Sequence, residues 1–68
     1  MVNVYFKGKQ LCVQKREFAF AHRILGIRLH KDLVLVHLAL PKSLQNACNI
    51  YAIDTQKMRV IWKTQGKL

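Results

Sequence analysis

The side chains able to make or break bonds are few in this chain of 68 residues: Glu17, Asp32 and Asp54, His22, His30 and His37, Cys12 and Cys48. General acid and base work by a carboxylate pair needs both groups within a few ångström of one substrate. The three here are scattered, and Asp32 and Asp54 fall where turns are expected, so capping and Asx bonding account for them. No two of the histidines and cysteines lie at the short separations, roughly two to five residues, that zinc motifs use. A cysteine–histidine nucleophile pair would lack a third, orienting group. Gly8, Gly26 and Gly66 stand alone, which excludes a phosphate loop of the Walker or dinucleotide type. The expectation is a protein that is not an enzyme and holds no cofactor and no metal.

Positive charge is the remaining chemical feature. Twelve Lys and Arg stand against three Asp and Glu, a formal charge of +9. Spread over a folded surface of about 4,400 Å², that excess attracts polyanions by releasing their condensed counterions. Lys7 with Lys9, Lys15 with Arg16, and Lys57 with Arg59 flank turns or strand ends, and Arg28 and Lys63 lie within strands. These eight are the candidate contacts to a nucleic acid or other anion. The competing reading is that basic residues at outward strand positions keep sheet edges from aggregating. Tyr5, Tyr51, Trp62, Phe6, Phe18 and Phe20 could stack on bases, but Phe6, Tyr51 and Trp62 are expected on inward faces.

The elements that must position these groups read as strands. Val2, Val4 and Phe6 alternate with polar or aromatic neighbours, Leu11 and Val13 resume the alternation, and Gly8-Lys9 makes a two-residue type II′ turn, whose first position requires φ above zero. That pairing sets Phe6 opposite Leu11 and Val4 opposite Val13. After a polar break at Lys15 to Glu17, Phe18 to Leu25 fits either a strand or a helix; its alternating aromatic and branched residues favour the strand. Ile27 to His30 and Leu33 to Leu40 flank a tight turn at Lys31-Asp32, with His30 opposite Leu33 and His37 opposite Gly26. The second of these runs is apolar except at His37, which implies a strand covered on both faces. Pro41 to Asn49 is the main loop, with room for one helical turn begun by Pro41. Ile50 to Ile53 and Arg59 to Lys63 form a second hairpin, Tyr51 facing Trp62 and Ile53 facing Val60, with Asp54 bonding turn amides. Gln65 to Leu68 reads as a frayed tail.

Residues 49–63, NIYAIDTQKMRVIWK, resemble the repeated hairpin of quinoprotein-type β-propellers through Asn49, Tyr51, Ala52, Ile53, Asp54, Ile61 and Trp62. The same hairpin is similar to the C-terminal end of small prokaryotic and phage proteins. One copy cannot make a propeller, which needs at least about four blades. The likeness departs from the pattern at the turn, where Met58 replaces a glycine and would be strained at positive φ. It implies a hairpin, with no activity attached.

Composition bounds the rest. At 51% hydrophobic and 22% charged residues, the chain lies outside the disordered regime, and its length allows one domain, residues 1–68. The expected class is mainly β: a small antiparallel meander of five to six strands, sandwich-like or barrel-like, with one short helix at most. Met1 to Phe6 show no secretory pattern, and Leu33 to Leu40 falls well short of the roughly 20 residues that span a bilayer. Two cysteines do not make a secreted disulfide framework, so free thiols in the cytoplasm are expected. Apolar residues on both sides of the strands exceed what one small sheet can hide, which points to a homo-oligomer or a subunit of a larger assembly. The leading functional expectation is an accessory protein binding nucleic acid, RNA before DNA, through backbone electrostatics. The alternatives are a phage-type interaction or inhibitor module for an acidic protein, and an oligomeric pocket protein that captures an anionic nucleotide.

Overall fold

A computed structural model describes residues 3–68. Val2, the first member of the alternating series, lies outside them with Met1. Seven strands follow in order: β1 (Val4–Lys7), β2 (Gln10–Val13), β3 (Arg16–Ala19), β4 (Ile24–His30), β5 (Leu33–Leu38), β6 (Ile50–Asp54) and β7 (Arg59–Thr64). One 3-10 turn, Lys42–Leu44, sits in the long loop behind Pro41. The strands form two antiparallel meanders, β1-β2-β3 and β4-β5-β6-β7, stacked as a sandwich with no closed barrel.

Local sequence explains the hairpins. Gly8 has φ +62°, and Val4 pairs with Val13 and Phe6 with Leu11, the expected register. The next turns repeat the device without glycine: Gln14 at φ 59° opens the β2–β3 turn and Lys31 at φ 55° the β4–β5 turn. His30 then pairs with Leu33 and Gly26 with His37. The β6–β7 turn closes on Met58 at φ 55°, the position where a glycine was the expected residue.

Lys15 to Glu17 is not a break in full, because Arg16 and Glu17 already belong to β3. Phe18 to Leu25 contains no helix, but it is also not one strand. It is the end of β3, a crossing between the sheets and the start of β4. The crossing is held by backbone bonds from Phe20 N to Lys9 O (2.9 Å) and Ile24 N to Gly8 O (2.8 Å). Phe20 meets Tyr51 edge-on, with centroids 5.5 Å apart.

The core lies between the sheets: Leu11 and Val13 from β2 meet Ile24, Val34, Val36, Leu38 and Ile53. Strand β5 ends at Leu38, short of Leu40, and it is covered on one face only. Val34, Val36 and Leu38 are buried, while Leu33, Leu35 and His37 between them stay half-buried. A three-stranded sheet covers one side of the larger sheet and leaves the other open. The surface is accordingly large, 4,984 Å², against the roughly 4,400 Å² expected from mass. The tail is also more ordered than a frayed end: Asn49 Nδ2 donates to Gly66 O (2.8 Å), and Gly66 N donates back to Asn49 Oδ1 (3.0 Å).

Candidate functional site

The open face of the four-stranded sheet is built from cross-strand rows. One row runs Gly26, His37, Ile50, Thr64; the next Arg28, Leu35, Ala52, Trp62; the third His30, Leu33, Asp54, Arg59. Side chains paired across strands point to the same face, so each row lies on one surface of the sheet.

Trp62 is on this surface because of a bulge. Ile53 pairs with Val60, as expected, but Ala52 pairs with Trp62, leaving Ile61 as an extra residue. One inserted residue reverses the inside–outside alternation beyond it. Tyr51 therefore does not face Trp62. Its partner is Lys63, whose ammonium lies 5.9 Å from the Tyr51 ring centroid. Tyr51 packs toward the core, whereas Trp62 is 43% exposed and Phe6, also expected inside, is 38% exposed. The run Val60, Ile61, Trp62, three large apolar residues in a strand that otherwise alternates, is the sequence signal of this inserted residue. A second bulge, at Leu25 between Ile24 and Gly26, lies on β4, so both edges of the sheet are interrupted.

The eight candidate cations are all exposed, but they are not gathered in one place. Lys7 and Lys9 sit at one end of the three-stranded sheet, at the β1–β2 turn. Lys15 and Arg16 sit at the other end, where the Arg16 guanidinium lies 5.7 Å from the Phe18 ring centroid. Lys57 is in the β6–β7 turn and Arg59 opens β7. Arg28 and Arg59 share the open face with Trp62. The carboxylate on that face, Asp54, accepts the amides of Gln56 (2.8 Å) and Lys57 (3.0 Å) on Oδ1. Those bonds, the Lys57 one first, hold its pKa below the ordinary aspartate value.

Two hollows lie outside this face's centre. The larger, about 460 Å³, opens beside the loop and tail and is lined by His37, Leu40, Gln45, Asn49 and Gln65 among others, with no Lys or Arg. The smaller, about 160 Å³, lies on the outer side of the three-stranded sheet around Tyr5, Cys12 and Glu17. Cys12 is buried and its thiol donates to Gln14 O (3.3 Å); Cys48 is half-buried, and both thiols are free. Donation from the Tyr5 hydroxyl to the Cys12 sulfur, and then the negative charge of that sulfur when ionised, raise the Tyr5 pKa. Among the described residues no three His, Cys, Asp or Glu side chains converge as metal ligands, and no helix is long and apolar enough to cross a membrane. Comparison with protein-family models, curated proteins and solved structures finds no match to this chain.

Proposed function

We propose that this protein is a non-enzymatic nucleic-acid binder, acting through phosphate contacts as an accessory component of a larger ribonucleoprotein assembly in the cytoplasm. The observation that carries the reading is the charge balance. Three carboxylates can neutralise at most three of twelve cations, so at least nine must be compensated from outside. Lys7, Lys9, Lys15, Arg16, Arg28, Lys57, Arg59 and Lys63 all stand at the surface on both sheets. A distribution of this kind suits a long polyanion that runs over the molecule. It suits a small anion in a pocket less well, since the larger hollow is lined without a Lys or Arg and the smaller holds one cation, Lys7, together with the Glu17 carboxylate. Capture of a free nucleotide is therefore the least supported alternative.

Electrophoretic mobility shift across a salt series tests the proposal. If about six side chains meet phosphates of a duplex, the slope of log affinity on log salt is about −5. Absence of retardation at low salt with both RNA and DNA refutes it. The second reading, an interaction or inhibitor module for an acidic protein, draws on exposed Val60, Ile61 and Trp62 beside Arg59 and Lys63. A partner that survives nuclease treatment in a pull-down would favour it.

A further inference from the structure

We infer that Trp62 is a stacking platform for an unpaired base, and that Arg28 and Arg59 on the same face take the flanking phosphates; this rests on the nucleic-acid reading above. The indole is on the open face because of the Ile61 bulge. Its cross-strand partner on that face is Ala52, a methyl side chain with none of its surface exposed, whereas Trp62 itself is 43% exposed. Nearly half of the indole is thereby left open to solvent on a face that carries two arginines. Bases of any sequence stack on such a surface because each has a π-face.

Charge selects the occupant. Arg28 ends the row of Trp62, three strand spacings or about 14 Å away, and Arg59 precedes Trp62 on β7 in the neighbouring row. Asp54, directly opposite Arg59, accepts two turn amides on Oδ1 and keeps its negative charge, so it offsets part of the charge of Arg59. A second copy of this chain is a poor occupant, because two molecules of +9 repel and bulges interrupt both sheet edges. A duplex is a poor one as well. Its bases are stacked on each other, and its major groove, about 12 Å wide, admits a helix or two-stranded ribbon, whereas this face is four strands across. Splayed single-stranded bases, the usual target of sequence-reading RNA proteins, fit it.

The chain has one tryptophan, so its fluorescence reports on this site without a label. Titration with oligouridylate is expected to quench the emission, and a duplex RNA of equal length to leave it nearly unchanged. Trp62→Ala is expected to weaken oligouridylate binding by roughly five- to a hundredfold, and Trp62→Phe by much less, with duplex affinity little altered in both. Thermal unfolding of each variant establishes that it is folded. Retardation of oligouridylate with unchanged emission and unchanged Trp62→Ala affinity overturns the stacking inference and leaves the electrostatic reading standing. Quenching that depends on protein concentration without RNA assigns the face to a second copy and also overturns it. No binding of any nucleic acid at low salt removes both.

Discussion

Asn49 and Gly66 exchange two hydrogen bonds across seventeen residues, side-chain amide against backbone peptide, and so hold the C-terminal segment against the end of β6. Beneath that clasp Ile50 is 5% exposed, and a Cβ added at Gly66 would stand 3.4 Å from its Cδ1. Asn49→Ala is expected to lower stability by about 1–2 kcal/mol and to speed carboxypeptidase trimming of Gln65 to Leu68. Urea unfolding and mass spectrometry read the two effects; unchanged trimming would mean the clasp does not restrain the tail.

Asp54 organises the β6–β7 turn twice, through its carboxylate to Gln56 and Lys57 and through its carbonyl, which accepts from Met58 N at 2.7 Å. Because the turn amides depress its folded pKa, its contribution is present above the unfolded value of 3.8 and is lost as pH falls below that toward the folded value. Thermal midpoints measured from pH 6 down to pH 2 should fall less steeply in Asp54→Asn than in the parent. Parallel curves would refute the assignment.

Backbone strain predicts changes of opposite sign at two turns. Lys31 is exposed and held at φ 55°, a conformation that costs an L-residue roughly 1–2 kcal/mol, partly offset in glycine by greater unfolded-state freedom. Lys31→Gly is expected to stabilise by about 0.5–1 kcal/mol. Gly8→Ala, at φ +62° with open space around it, is expected to destabilise by about 1–2 kcal/mol. Denaturant midpoints of the two variants check the signs.

Removing the bulge separates its two consequences. With Ile61 deleted, Val60 can still face Ile53 and Trp62 can still face Ala52, so the indole stays on the open face and its emission stays that of an exposed ring. The edge strand becomes regular, and an uninterrupted edge invites pairing with another chain. Light scattering is expected to register more self-association than in the parent. An emission spectrum shifted to that of a buried indole would contradict the register.

Burial orders the core substitutions. Ile53 is fully buried between the sheets, and Ile53→Ala is expected to cost about 2–5 kcal/mol, a large part of what a domain of this size has. Leu25, the bulged residue of β4, is half exposed, and Leu25→Ala should stay within about 0.5 kcal/mol. Equal losses at the two positions would overturn this picture of the core.

Amino-acid order alone determined what depends on neighbours along the chain: an antiparallel β class, the Gly8-Lys9 and Lys31-Asp32 turns, the pairing of Phe6 with Leu11 and of His30 with Leu33, and the charge. A two-residue turn fixes the register beyond it, and alternation fixes which face is apolar. Tertiary structure decided what depends on distant partners. Phe18 to Leu25 breaks because the β2–β3 ladder runs out at Phe20, bonded to Lys9 O, and the chain then crosses to the other sheet, where Ile24 N donates to Gly8 O of the β1–β2 turn. The apolar run of β5 is covered on one face because the fold has two layers, so each sheet has one inner and one outer face. Trp62 faces solvent because the pairing of β7 shifts by one residue between Val60 and Trp62, a bulge that alternation alone does not place.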